Sequence, residues 1–289
     1  MNQAIAKGIQ RQLVAPGFLL LLAVAACGSP PDHPNRVPLS GALNFRDVGG
    51  YVAEDGRRVK RGVLFRSDDL ADLSRSDLET LAGLGLRRVF DLRSDGVRRK
   101  DPDRLPKQDD IVLVDIPVYF RPLDRNESRD KILSGKVKRG HFSELLVEAN
   151  TAFALDFTAE WQELLQGLAE PGALPAVIHC VDGKDRTGFA VALILRMLGV
   201  PQETVLEDFL LSNLFLESRN SRYAFLGSLG SLFQVPRSEI RDLLDVRRAY
   251  LEAAFTAIDE QYGSFPAYLR EALDLDARTI DKLRLALLE

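Results

Sequence analysis

Thiols and imidazoles are scarce in this chain: 289 residues carry two cysteines, Cys27 and Cys180, and three histidines. Two cysteines cannot build a disulfide framework, and His33, His141 and His179 are too few and too scattered for a histidine-rich metal centre. A histidine-rich metal site is therefore not expected. Long apolar runs are missing as well. The stretch from Phe18 to Ala26 is too short to cross a bilayer, and Pro16-Gly17 interrupts any longer one. Nor is there an excess of positive charge. With 38 Lys+Arg against 42 Asp+Glu, the net charge of -4 offers nucleic acid no global attraction, so an anionic partner must be met by a local patch. Core-forming residues are plentiful: 46% hydrophobic and 28% charged positions suit a folded domain rather than a disordered chain.

The first 27 residues read as a targeting segment, with Lys7 and Arg11 ahead of an apolar stretch and small residues at its end. Val24-Ala25-Ala26-Cys27 resembles the lipobox of bacterial lipoprotein precursors, in which the cysteine is acylated and becomes the first mature residue. Residues 28–38, rich in proline, have the composition of an extended tether. These features predict an exported protein held on a membrane through Cys27, facing the periplasm or the cell exterior. Acylation of Cys27 leaves Cys180 as the sole thiol, so its presence calls for an explanation other than a disulfide.

From Leu39 to Glu289 neither a repeat nor a further low-complexity segment appears, and this region is read as one domain. Val63-Leu64-Phe65, Arg88 to Leu92, Ile111 to Val114 and Ala176 to His179 are short β-branched or apolar runs bounded by turn residues, the pattern of buried strands. Ser74 followed by Asp77 and Glu79 predicts a capped helix ending at Gly83 or Gly85. Phe142, Leu145, Leu146, Ala149 and Phe153 keep a helical period that continues toward Trp161 and Leu165. Beyond Thr187 the chain reads as almost wholly helical, with breaks near Pro201, Pro236 and Gly263-Ser264. This alternation predicts an α/β fold with a mainly parallel central sheet flanked by helices and a helix-rich C-terminal half.

One stretch carries chemistry. Ala176-Val177-Ile178-His179 leads into Cys180-Val181-Asp182-Gly183-Lys184-Asp185-Arg186-Thr187-Gly188 and then an apolar helix. At the carboxyl end of a strand, a helix start presents unpaired N–H groups to an anion, and the same positive environment favours a thiolate. Cys180 is thus a candidate nucleophile toward phosphorus and Arg186 a bidentate clamp for two phosphate oxygens. Backbone amides of residues 181 to 186, with Val181, Asp182, Gly183 and Lys184 among them, would hold the rest, Thr187 would hydrogen-bond the sulfur, and His179 would orient the loop. Asp182 reads as a solvated loop residue. Lys184 either contacts a second phosphate or strengthens the local field. Two other enzymatic readings use a cysteine in an anion-cradling loop, a sulfurtransferase and an arsenate reductase; a non-catalytic phospho-ligand binding module is a third alternative.

His179-Cys180-x-x-Gly183-Lys184-Asp185-Arg186-Thr187-Gly188 resembles the signature of the atypical bacterial protein tyrosine phosphatases of the secreted mycobacterial type. Asn44 to Asp47, Leu64 to Ser67, Asp91 to Ser94 and the stretch from Tyr250 to Gly263 are similar to that family's segments in the same order. The resemblance implies a phosphatase-type α/β domain that acts without metal on phosphotyrosine, and in some members on phosphoserine, phosphothreonine or phosphoinositides, so that a phosphorylated protein or a phosphoinositide is the implied partner. A general acid is also required to protonate the leaving group. Asp185 is favoured over Asp124, which lies in a region where relatives place an aspartate after a proline-containing strand end. Residues 121–140 hold seven basic side chains against three acidic ones, and are read either as a rim that attracts polyanionic substrate or as a solvated surface loop.

Overall fold

The computed structural model describes residues 32–107 and 110–289. Cys27, the targeting segment and the first residues of the proline-rich stretch lie outside the described residues. The remainder of that stretch is not free of the body. Asn35 Nδ2 donates to the carbonyls of Asp47 (3.1 Å) and Gly49 (3.0 Å), and Arg36 bridges Arg46. The folded body thus takes in residues ahead of Leu39.

Five strands form one sheet: β1 (Arg46–Asp47), β2 (Leu64–Ser67), β3 (Arg88–Asp91), β4 (Val112–Asp115) and β5 (Ala176–His179). Their order is β1-β2-β5-β3-β4, antiparallel only between β1 and β2. The mainly parallel sheet therefore stands, with a two-residue edge strand added. Parallel strands covered on both faces read as continuous apolar runs, which is why β2, β3 and β5 are visible in the sequence. Side chains alternate across β5: Ala176 and Ile178 enter the large core, whereas Val177 joins Phe45, Phe65 and Val89 on the opposite face. In register, Ser67 and Asp91 both lie level with His179. The residue after His179 consequently emerges at the middle of the sheet's carboxyl edge.

Helices flank the sheet. α1 (Arg75–Gly83) starts at a capping box in which Ser74 and Asp77 each accept the other's backbone N–H. After α2 (Asp95–Lys100), a short 3-10 turn (Arg121–Leu123) precedes α3 (Arg125–Leu133). The helical period read from Phe142 to Leu165 resolves into two helices, α4 (His141–Asp156) and α5 (Thr158–Leu168), parted at Phe157. Both keep the same apolar side inward, so the break does not interrupt the pattern. The C-terminal half contains α6 (Arg186–Met197), α7 (Gln202–Gly230), α8 (Arg237–Leu244), α9 (Arg248–Tyr262), α10 (Phe265–Glu271) and α11 (Ala277–Leu287). Pro201 and Pro236 cap α7 and α8, and Gly263-Ser264 separates α9 from α10, as the breakers predict. Among the described residues no helix is long and apolar enough to cross a membrane.

Candidate active site

The loop from Cys180 to Asp185 joins the central strand β5 to α6, and its shape is set by where its carbonyls go. Val181 O accepts from the amide of Asp69 (3.1 Å). The carbonyls of Asp182 and Gly183 accept from Asn44 Nδ2 (3.1 and 3.0 Å), and Gly183 O also accepts from Arg66 (2.9 Å). In a planar trans peptide the N–H points opposite the C=O, so the amide of Asp182 points away from the Asp69 amide, and those of Gly183 and Lys184 point away from Asn44 and Arg66. Successive amides turned to one side form an anion-binding concavity. Gly183 makes the turn feasible. Its φ is +63°, and a β-carbon there would lie 2.4 Å from Ser67 O and 2.5 Å from Asp68 N.

Behind the loop is a buried ionic network that holds those carbonyls. Arg66 reaches Asp208 of α7 at 2.5 Å, and Arg46 reaches the same carboxylate at 3.4 Å and its carbonyl at 3.0 Å. Tyr51 OH donates to Asp208 (3.1 Å), and Arg46 donates to Asn44 Oδ1. Burial alone would raise the Asp208 pKa, but Arg66 and Arg46 outweigh it and hold the carboxyl below its usual range. Burial and the neighbouring Arg66 pull Arg46 down to about 10. Asn44, Arg46 and Arg66 lie in segments singled out by resemblance, whereas nothing in the sequence marks Asp208. It is one acidic residue on a long helix, and only folding brings it beneath the loop.

Cys180 is a free thiol, 2% exposed, at the carboxyl end of β5. Arg186 opens α6, and its guanidinium donates to the carbonyls of Leu92 (3.1 Å) and Val118 (3.2 Å), beyond the ends of β3 and β4. Anchoring one terminal nitrogen in this way fixes the planar fork and leaves its other N–H groups for a ligand. Thr187 Oγ1 is buried without a hydrogen-bond partner, so the predicted bond to the Cys180 sulfur is not formed in this structure. Lys184 is 3% exposed and gives its ammonium to both oxygens of Asp185 (3.0 and 2.7 Å), which joins the two residues in one pair.

Asp182, read in the sequence as a solvated loop residue, is half-buried and paired. Arg219 of α7 pairs with it at 3.0 Å. Burial raises its pKa, but Arg219, Arg125, Lys184 and Arg186 together hold it below the ordinary carboxylate range. The field of Arg125, at the start of α3, thus reaches the loop. Asp68, also beside it, accepts the amides of Leu43 (3.2 Å) and Asn44 (3.0 Å), and burial pushes it up to about 6 against the pull of Arg219. Asp124 caps α3, accepting from the amides of Asn126 (2.9 Å) and Glu127 (3.1 Å). All seven basic residues of 121–140 are exposed.

His179 lies beneath the loop, its Nε2 3.1 Å from Asp103 and 3.8 Å from Asp91. Burial opposes its protonation, but the Asp103 and Asp91 carboxylates outweigh burial and raise its pKa. Neither ring nitrogen makes a hydrogen bond in this structure, so what holds His179 is its charge pairing with Asp103 and Asp91. Asp91, Asp103 and His179 are the one group among the described residues close enough together to hold a metal ion. Arg93 already bridges both carboxylates, at 2.7 and 2.9 Å, and supplies the cation itself.

Comparison with known proteins agrees with this geometry. A sequence profile described as the tyrosine phosphatase family matches residues 37–289. A Cupriavidus necator protein with a provisional tyrosine-protein phosphatase name is 36% identical over 241 residues, covering 81% of this chain and 82% of its own. The triple specificity protein phosphatase PtpB of Mycobacterium tuberculosis is 32% identical over 276 residues, covering 86% of this chain and 98% of its own. The crystal structure of P. aeruginosa TpbA aligns with 82% of this chain and 94% of its own at 16% identity, with a TM-score of 0.30, too loose a likeness to carry weight. A family match over nearly the whole described chain, together with relatives of this identity and coverage, shows that the chain belongs to the tyrosine phosphatase family and is a phosphoric monoester hydrolase of that type.

Proposed function

We propose that the chain hydrolyses phosphotyrosine, together with other phosphate monoesters that include phosphoinositides, through a phosphocysteine at Cys180. The observation that carries this reading is the row of loop carbonyls tied back to Asp69, Asn44 and Arg66, which turns successive amides toward one concavity at the carboxyl end of β5. In the first step the Cys180 sulfur attacks phosphorus and the ester P–O bond breaks. The departing oxygen takes a proton from Asp185. In the second step water attacks phosphorus, gives its proton to Asp185, and the P–S bond breaks to restore the thiolate. Arg186 and the loop amides hold the three non-bridging oxygens throughout, where charge is spread in the transition state. Thr187, with its hydroxyl uncommitted, stabilises the sulfur as it leaves.

Asp185 serves as acid in this reading because it directly precedes Arg186 within the loop, whereas Asp124 is committed to capping α3. The pairing with Lys184 implies that Asp185 takes up its proton only once the substrate's negative charge draws the ammonium away. The composition of the first 27 residues supports export and attachment to a membrane through Cys27. Rates on a phosphotyrosine peptide, a phosphoserine peptide and phosphoinositides, measured side by side for wild type and Cys180→Ser, test the proposal. Turnover of phosphotyrosine by wild type and its loss in Cys180→Ser are expected. Equal turnover by both proteins overturns it, and formation of a persulfide from thiosulfate with no phosphate release points to a sulfurtransferase instead.

A further inference from the structure

The far end of α7 holds apolar side chains where water disfavours them. Past the helix end, Leu232 and Phe233 both adopt left-handed backbone angles, φ 53° and 62°, a region ordinarily left to glycine or asparagine. The same two side chains are 78% and 63% exposed. Backbone strain and exposed apolar area thus coincide at adjacent positions. They are not isolated: Leu226 and Leu229 of α7 and Leu133 at the end of α3 are also exposed. Gly230 brings the two helices together, since a β-carbon there would lie 2.7 Å from a Leu133 methyl group.

Cations continue this surface toward the active site. On α3, Arg125, Arg129 and Leu133 recur at four-residue spacing on the exposed side, and on α7 Arg222, Leu226 and Gly230 do the same. Each stripe is basic toward the loop and apolar toward the apex. At the loop end α7 holds Asp182 through Arg219. From there to Leu232 an α-helical rise covers roughly 20 Å.

We propose that this face docks on an anionic lipid bilayer, with Leu232 and Phe233 entering the interface and the arginine stripes lying on the headgroups. An apolar tip bordered by cations is complementary to such a surface on both counts. Pairing with a second copy would set the two cationic stripes against each other across a two-fold axis, which like-charge repulsion opposes. Docking does not depend on the phosphatase reading. It would, however, hold the loop mouth beside lipid headgroups, which favours membrane phosphoinositides among the proposed substrates.

Phe233→Trp in the full chain provides the probe, because Trp161 is fully buried and gives a protected baseline in wild type. Vesicles of phosphatidylglycerol with brominated acyl chains are expected to quench and blue-shift the new emission, and brominated phosphatidylcholine vesicles to do so far less. Quenching at this position reports contact of the apex itself, even where residues ahead of the domain hold the chain on the vesicle. Adding Arg129→Glu and Arg222→Glu should raise the lipid concentration for half quenching on the order of tenfold or more. Hydrolysis of a soluble aryl phosphate should be the same in all these proteins, so failure of docking and failure of the phosphatase reading are seen separately. Unquenched emission on both vesicle types overturns the proposal. So does vesicle-free self-association of wild type that Leu232→Ser/Phe233→Ser abolishes, which assigns the face to a second copy.

Discussion

Replacing Gly183 by alanine puts a methyl group where the backbone after β2 already lies. Two costs add. The left-handed angle at φ +63° disfavours a residue with a β-carbon by about 1–2 kcal/mol. The new carbon would also sit 2.4 Å from Ser67 O and 2.5 Å from Asp68 N. Both are backbone atoms of a buried segment, so the loop has to retreat by ~1 Å to reach ordinary van der Waals distance. That retreat stretches the bonds from Asn44 and Arg66 to the loop carbonyls, worth about 1–3 kcal/mol each where a charged donor is involved. Together these terms reach about 3–5 kcal/mol, which in a domain of this size lowers Tm by roughly 10 °C. A displacement of this size in an anion cradle costs about 100-fold in rate. Gly172→Ala is the matched control, because Gly172 has φ +76° with nothing within 4 Å of its β-carbon position. It should lose only the conformational part of the stability and none of the activity. Thermal melting and aryl phosphate hydrolysis of the two variants decide the matter. The reasoning is refuted if Gly183→Ala melts with Gly172→Ala and keeps its rate within about threefold of wild type.

Asp208→Asn leaves Arg46 and Arg66 buried against a neutral amide. A loss of about 3–5 kcal/mol in urea unfolding is expected, and a loss below about 1 kcal/mol would show that the network does not hold the loop. Asp185→Asn should slow aryl phosphates with poor leaving groups far more than those with good ones. Asp124→Ala should lower stability by about 1 kcal/mol through loss of the α3 cap and leave that leaving-group dependence unchanged; the reverse pattern moves the acid to Asp124. For His179 the folded-state pKa is raised above the ordinary 6.5. Its ion pair therefore stabilises the fold fully below about 6.5 and is lost as pH rises through the raised value. Denaturant titrations across that window should show stability falling in wild type and a flatter profile in His179→Gln. Identical profiles contradict the assignment.

The strands and the loop were legible because their signals are local. A parallel strand buried on both faces must be continuously apolar, and a glycine-bearing turn followed by an apolar helical run marks where the strand ends and the helix begins, so β2, β3, β5 and the β5-to-α6 loop that carries Cys180 and Arg186 could be read directly. The break at Phe157 was not legible, since α4 and α5 keep one apolar face across it. Neither was β1, whose two residues pair only because β2 lies beside them. The support for the loop was the least visible part. Asn44, Arg46, Arg66 and Asp208 come from distant segments, and a sequence cannot say which buried arginine meets which aspartate. The partner of Asp182 is hidden for the same reason, as Arg219 lies on α7. For the general acid the sequence favours Asp185 over Asp124, and folding commits each to a partner that the sequence does not name, Asp185 to Lys184 and Asp124 to the start of α3.

The proposed reaction passes through covalent capture of phosphate by one sulfur. The direct measurement is acid-quenched intact-protein and peptide mass spectrometry during turnover of an aryl phosphate. It should find a phosphate adduct on the peptide carrying Cys180, and none in Cys180→Ser. Sustained turnover with phosphate on another residue, or with no covalent adduct under conditions that preserve phosphocysteine, would contradict it.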